Sequence, residues 1–397
     1  MNKPRTAAKR RAVLTAVSLA AAGYAGLSIA LAFDRAAANS PEQAARVPER
    51  FRQQALASQG NALLLSGKGR LIAPLAESLV RRDPLGSQST GLLGAARLAQ
   101  GDLRGADSAF RTSAKLGWRD AATQVYWLQL ALAAGDLPRA GTRFGALARQ
   151  WPEAPAIDQF SSQFEGNLQG QMVIAQQIAS GANWAGAYAR PQPGQSVERL
   201  AGRASILIAA AALGGRLGCD AIAPLVNSLT VAQPALASRL WSSQCPRVAA
   251  PGLVNDPGFE HAAVSVGMTA FDWQFPGDGT LQADVTATGE GRHVLNASTT
   301  AAALVPLAIQ RIVLPAGRYR LTWRETGSGA SGSSRIAASL SCRPERGLAN
   351  PRTGSLDRGQ GSAELDYTDD CTAPLLQLWL TPGAGPVRID DIALVRR

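Results

Sequence analysis

The chain has 397 residues, of which 40 are Lys or Arg and 29 are Asp or Glu, so its formal net charge is +11. This length suggests two folded units. The positive charges are dispersed and are not interleaved with aromatic residues, so nucleic-acid binding is not expected.

The first predicted element is an apolar helix near the N-terminus. Ala12–Phe33 carries no charge and is long enough to cross a bilayer. Before it stand five basic residues and no acid: Lys3, Arg5, Lys9, Arg10 and Arg11. Basic flanks stay cytoplasmic. We therefore expect a cytoplasmic tail at 1–11, a transmembrane helix at 12–33 and a periplasmic bulk, with the protein held in the inner membrane. The alternative is a signal peptide cleaved near Ala36–Ala38.

Helical spacing follows over residues 40–245, which contain a repeated segment. The letters L-A-Q-G-D-L-R-G-A at Leu98–Ala106 return as L-A-A-G-D-L-P-R-A at Leu132–Ala140, 34 residues later. In the first copy a small residue, Ala106, precedes Phe110 by one helical turn, which suits close packing of two helices. A 34-residue period is typical of paired-helix solenoids.

These residues resemble the tetratricopeptide repeat, most clearly over 87–153. The resemblance implies an all-α solenoid that binds a protein partner. Trp118 departs from the family pattern, because a proline is expected at that place in the repeat.

Beyond Pro246 the pattern changes to period two. Tyr319, Leu321 and Trp323 alternate with arginine and threonine, and short apolar runs are separated by Gly, Pro, Asn and Asp. This predicts an antiparallel β-sandwich over 252–397.

The strand-forming half resembles the galactose-binding-like jelly rolls, particularly the carbohydrate-binding modules of families four and nine. The matching segments are Leu253–Glu260, Leu314–Leu321 and Ile389–Leu394. The resemblance implies a jelly-roll sandwich and a polysaccharide ligand, although many such domains only pack against a partner.

The resemblance also implies a calcium ion between the opening and closing strands. Glu260 and Asp390 match the acidic positions, and Asp391 is a substitute ligand. Hard oxygen ligands suit calcium. Alternatively, these acids cap strand ends or pair with Arg388. No other cofactor is expected.

A sugar site needs an exposed aromatic ring flanked by hydrogen-bonding groups. Alternation puts Gln377 and Trp379 opposite the leucines of their strand, and it turns Arg318, Arg320 and Arg324 away from the core. If the two outward faces coincide, Trp379 would stack on a sugar ring beside the arginines. The alternative is that Trp379 lies under a loop.

The four cysteines allow three pairings. The simplest closes two local loops, Cys219–Cys245 and Cys342–Cys371, as expected in an oxidising compartment.

We found no catalytic motif. There is no P-loop, no G-x-S-x-G elbow and only two histidines. We therefore expect no enzyme, and two function classes remain. One is a membrane-anchored periplasmic scaffold whose solenoid binds a protein and whose sandwich contacts glycan, in exopolysaccharide assembly or export. The other is a purely protein-binding envelope assembly factor with a structural sandwich.

Overall fold

The structure is a computed structural model. It describes residues 4–38, 40–66, 68–245, 252–262, 269–276, 279–289, 291–327, 332–342, 351–368, 371–383 and 385–397. Lys3, part of the predicted cytoplasmic tail, lies outside these residues. The chain forms two compact units, Met1–Trp151 and Pro152–Arg397. The change from helices to strands that the sequence predicts lies inside the second unit.

The first unit is helical throughout. Its helices are α1 (Pro4–Ala37), α2 (Pro41–Ala44), α3 (Gln53–Leu65), α4 (Ala73–Arg82), α5 (Ser87–Ala99), α6 (Leu103–Leu116), α7 (Ala121–Ala133) and α8 (Leu137–Gln150). Helix α1 contains an apolar stretch, Leu14–Ala37, whose mean hydropathy of 1.8 and length of 24 residues suffice to cross a membrane. A signal sequence has the same properties.

The repeated Gly-Asp-Leu motif forms the turn between paired helices. Gly101 and Gly135 have φ angles of +86° and +70°, which glycine adopts without strain. Asp102 and Asp136 then cap the following helices by accepting hydrogen bonds from backbone N–H groups three residues later, at 2.9 and 3.1 Å. Helices α5 and α7, and likewise α6 and α8, therefore begin 34 residues apart.

The small and large residues of the repeat pack as the sequence predicts. Ala106, Ala140 and Phe144 are fully buried, and Phe110 is 1% exposed. A Cβ atom at Gly94 would lie 2.9 Å from the Phe110 ring, so only glycine admits the ring this close to α5. The paired-helix architecture is confirmed. The tetratricopeptide family itself remains a resemblance.

The second unit begins with six further helices: α9 (Pro155–Glu165), α10 (Leu168–Ala179), α11 (Ala185–Ala189), α12 (Val197–Ala212), α13 (Cys219–Leu229) and α14 (Pro234–Gln244). The strands follow: β1 (Leu281–Gly289), β2 (Arg292–Thr299), β3 (Val305–Arg311), β4 (Gly317–Thr326), β5 (Gly332–Ser341), β6 (Arg352–Asp357), β7 (Gln360–Tyr367), β8 (Leu375–Leu380) and β9 (Val387–Arg396). An all-α part followed by an all-β part is the predicted fold class.

The nine strands form one antiparallel sheet in the order β1-β2-β9-β4-β7-β6-β5-β8-β3. Its core contains the alternating residues Tyr319, Leu321 and Trp323 of β4. The alternating leucines of β8, Leu376, Leu378 and Leu380, belong to the same core. Strands β4 and β8 thus contribute to the same core, although three strands separate them in the sheet.

Both predicted disulfides are present. Cys219 and Cys245 join the start of α13 to the residue after α14, with their Cα atoms 5.3 Å apart. Cys342 and Cys371 follow β5 and precede β8, with a Cα separation of 5.9 Å.

Candidate functional site

Trp379 was predicted as an exposed sugar platform, and that prediction is wrong. Its side chain is only 8% exposed, and the indole Nε1–H donates to the hydroxyl of Ser339 at 2.9 Å. Strand β8 lies between β5 and β3, and all six of its residues are buried. Alternation placed Trp379 opposite the core correctly, but this second face is covered too.

Gln377 is also unsuited to contact a ligand, because it is 2% exposed. Its Oε1 accepts hydrogen bonds from the hydroxyls of Ser339 and Ser341, both at 3.3 Å. These bonds satisfy the buried amide oxygen and join β8 to β5, so its role is structural.

The three predicted arginines do face solvent. The side chains of Arg318, Arg320 and Arg324 are 85%, 46% and 55% exposed. Each forms an ion pair with a carboxylate on the same surface: Asp366 at 3.5 Å, Glu364 at 2.6 Å and Asp391 at 2.5 Å, respectively. This surface is exposed and polar, and its charges are largely paired.

The structure does not assemble Trp379 and the arginines into one site. Leu378 of β8 and Leu321 of β4 belong to the same core. Because the two strands are four positions apart in a sheet that folds around this core, their outward faces point in different directions. The predicted five-residue sugar site is therefore divided between a buried face and an exposed face.

The predicted calcium ligands lie near one another. Ile392 donates its backbone N–H to the carbonyl of Pro257 at 2.9 Å, so the opening and closing segments are adjacent, as the resemblance implies. Burial raises the pKa of Asp390, and the negative charges of Asp391 and Glu260 raise it further.

Two of these carboxylates, those of Asp390 and Asp391, have other partners. Asp390 accepts the backbone N–H of Asp391 at 2.7 Å, and the Asp391 side chain pairs with Arg324. Over the described ranges, no group of three or more His, Cys, Asp or Glu side chains is arranged to hold a metal ion. Calcium binding by Glu260, Asp390 and Asp391 stays a prediction.

A buried ionic network in the helical part was not predicted from sequence. Arg203 and Glu165 are each 3% exposed and form an ion pair at 3.1 Å. Arg203 also pairs with Asp158 at 2.8 Å, and Arg199 pairs with Asp158 at 2.9 Å and with Glu165 at 3.2 Å. The hydroxyl of Tyr188 donates to Glu165 at 3.1 Å.

This network borders a cavity of about 160 Å³ between α9 and α11. Burial alone would raise the pKa of Asp158, but hydrogen bonds from Arg199 and Arg203 outweigh burial and lower it. All three guanidinium nitrogens of Arg203 already donate to protein oxygen atoms. The network therefore joins α9 to α12 and offers little to a ligand.

Sequence spacing gave only a weak signal for this network. Arg199 and Arg203 are four residues apart on α12, and Asp158 and Glu165 are seven apart on α9, so each pair lies on one helix face. Nothing local indicates that the two faces meet.

Comparison with known proteins gives neither a family nor a characterised relative. No protein-family model matches the chain, and no curated protein matches it. Among solved structures, the carbohydrate-binding module TmCBM61 in complex with β-1,4-galactotriose is 19% identical, with a TM-score of 0.26, and the match covers 37% of this chain and all of that one.

Two further structures match at a similar level. The CBM22-1 xylan-binding domain of Paenibacillus barcinonensis is 15% identical, with a TM-score of 0.23, over 31% of this chain and 85% of that domain. The enzymatically active domain of bacteriophage CBA120 tailspike protein 4 is 10% identical, with a TM-score of 0.26, over 40% of this chain but only 23% of its own length. At these values the neighbours do not identify a ligand for this chain.

Proposed function

We propose that the protein is a membrane-anchored, extracytoplasmic scaffold that acts in exopolysaccharide assembly or export. Helix α1 is its anchor, the helical repeats hold a protein partner, and the strand-forming part contacts glycan. One observation supports an uncleaved anchor: the last turn of α1 is attached to the helices that follow it.

Asp34 makes this attachment. It lies on the last turn of α1 and is 5% exposed, and its two carboxylate oxygens accept the backbone N–H groups of Gln54 and Ala55, both at 3.0 Å. These N–H groups belong to the first turn of α3 and have no partner within that helix. Ala37, fully buried, packs beside them in a small core with Ala44, Val47 and Ala55.

This arrangement argues against removal of α1 as a signal peptide. Cleavage near Ala36–Ala38 would delete Asp34 and, at some of these bonds, Ala37. Loss of a helix cap alone costs about 1 kcal/mol. A cleaved leader has no reason to supply a buried cap to the mature fold. The two disulfides further support an oxidising compartment for the rest of the chain.

Glycan contact by the strand-forming part draws its support from the exposed face bearing Arg318, Arg320 and Arg324. A carboxylate of an acidic sugar would replace the exposed carboxylates that these guanidinium groups bind. Stacking on an aromatic ring is not part of this proposal. Within the described residues from 252 onward, the large hydrophobic side chains that are exposed are Leu304 and Val395, and neither is aromatic.

The burial of Trp379 favours a second candidate function. In it the sandwich is a structural module, and the protein is a purely protein-binding envelope assembly factor. A pull-down of acidic and neutral polysaccharides with the full-length protein distinguishes the two candidates. Weaker acidic-glycan binding by a triple Arg318→Gln, Arg320→Gln, Arg324→Gln variant supports glycan contact by the sandwich. Binding equal to that of the wild type would rule out this contact.

The scaffold's topology is tested with reporter fusions after Arg397. A reporter active only in the periplasm should be active there, and a reporter active only in the cytoplasm should be silent. Deletion of residues 12–33 is the control, and it should reverse both results. Cytoplasmic activity in the undeleted chain would overturn the proposed location.

A further inference from the structure

Trp118 is an exposed aromatic residue that the repeat does not explain. It lies in the turn between α6 and α7, and its side chain is 52% exposed. The other large aromatic side chains exposed in the described chain are Tyr24 and Phe33 on the apolar helix α1, and Trp151 at the end of α8. The resemblance to the repeat predicts a proline at 118, so packing between repeats gives no reason for an indole here.

The indole is held by a defined set of contacts. The guanidinium of Arg143 lies over one face of the ring at 4.1 Å from its centroid, and about half of the Trp118 side chain stays exposed. Gln124, which is fully buried, joins the two residues: its Nε2 donates to the Trp118 carbonyl at 3.2 Å, and its Oε1 accepts from Arg143 at 3.0 Å. A rigid ring loses little conformational entropy when a ligand stacks on it.

Arg143 has hydrogen-bond donors that are not used within the described chain. Arginine carries five N–H groups, and its one hydrogen bond within the described chain goes to Gln124. Burial lowers the pKa of Arg143, and the nearby positive charge of Arg139 lowers it further, so at least two cations lie close together at this place. Lys115 and Arg119 flank Trp118 in sequence, and both are exposed.

The surrounding helices carry more positive than negative charge. Residues 87–151 contain eight Lys or Arg and four Asp, a net charge of +4. Three of the acids, Asp102, Asp120 and Asp136, cap helix N-termini, where the helix dipole also stabilises them. Asp136 in addition pairs with Arg139 at 3.2 Å. The fourth, Asp107, pairs with Arg111.

We propose that Trp118 and Arg143 form a binding site for an anionic polysaccharide, with the exposed indole stacking on a sugar ring and the arginine binding a carboxylate of a uronic acid. An aromatic platform beside free guanidinium donors is the combination predicted for Trp379 and its arginines; here the two groups are adjacent, with Trp118 exposed and Arg143 half-buried. The biological ligand rests on the proposed extracytoplasmic location, where such polymers occur.

The test measures binding by the full-length protein in detergent micelles, using calorimetry. The probes are an oligogalacturonate, a neutral cello-oligosaccharide of equal length and a polyglutamate of equal charge. We expect the oligogalacturonate to bind more tightly than either of the others. Trp118→Ala should weaken its binding about tenfold or more, and Trp118→Phe should recover part of the loss. Trp151→Ala, a matched surface tryptophan on the same unit, should bind as the wild type does.

Arg143→Gln gives an independent measurement, because it removes the charge and leaves the indole. It should weaken oligogalacturonate binding and reduce the salt dependence of the affinity. If polyglutamate binds as tightly as oligogalacturonate and Trp118→Ala changes neither affinity, the proposal is overturned in favour of an acidic protein ligand. An absence of oligogalacturonate binding would also overturn it. Neither result bears on the reporter fusions, so the proposed anchor and location would stand or fall separately.

Discussion

Replacing Asp120 with asparagine should stabilise the first unit at neutral pH. Asp120 caps α7, and its Oδ2 accepts the backbone N–H of Thr123 at 2.7 Å. The residue is 1% exposed, and its Oδ1 has no hydrogen-bond partner among the described residues. A Cβ atom at Gly91 would overlap the carboxylate, so the group lies directly against α5. The folded chain therefore buries a carboxylate that is only half satisfied.

Burial raises the pKa of Asp120 from 3.8 to about 6, although hydrogen bonds from Thr123 oppose the shift. Because the pKa is higher in the folded state than in the unfolded state, this group favours folding below pH 4. That contribution is lost as the pH rises to about 6. The difference corresponds to about 3 kcal/mol. Asparagine is neutral at every pH and caps a helix as well as aspartate does. Asp120→Asn should thus gain up to about 3 kcal/mol at pH 7 and almost nothing at pH 4.

Urea unfolding followed by circular dichroism at pH 4, 5, 6 and 7 measures this difference between wild type and variant. For a unit of this size, the gain at pH 7 corresponds to a rise of roughly 6–12 °C in melting temperature. Asp102→Asn is the matched control, since Asp102 caps α6 in the same way but is exposed. Equal stability differences at pH 4 and pH 7 would refute the reasoning, as would the same pH dependence in the control.

Three further substitutions test the packing of the chain. Arg203→Met removes the buried ion-pair partner of Glu165 and should cost about 3–5 kcal/mol. Arg190→Met breaks an exposed pair and should cost about 0–1 kcal/mol in the same unfolding assay; equal costs would contradict the buried network. Trp379→Ala should cost about 3–5 kcal/mol, and a melting temperature close to wild type would show that the side chain is exposed. Ala140→Trp should overpack α8 and cost about 1–3 kcal/mol; unchanged thermal unfolding would refute the 34-residue register.

Features that depend on residues close together in the chain were predicted well from the sequence. The Gly-Asp-Leu motif specifies a left-handed turn followed by a helix cap, and its return after 34 residues located four helices. Phe110 was placed correctly because helical spacing defines which face it shares with Ala106. The cysteine pairs followed from the preference for local loops.

Burial that depends on distant segments could not be predicted. Period two showed that Trp379 lies opposite Leu378, but not that both faces of β8 are covered. Asp158 and Arg203 are 45 residues apart, and Asp34 reaches a helix 20 residues away, so no local pattern indicates either contact.

The most direct test of the anchored scaffold is the N-terminus of the protein isolated from its own membranes. Peptide mass mapping of carbonate-washed membranes should recover peptides that precede Asp34. The protein should resist the carbonate wash and be extracted only by detergent. Asp34→Ala should keep the chain in the membrane and lower its melting temperature, because α3 loses its cap. A mature chain that begins near residue 37–39 and washes free would contradict the account.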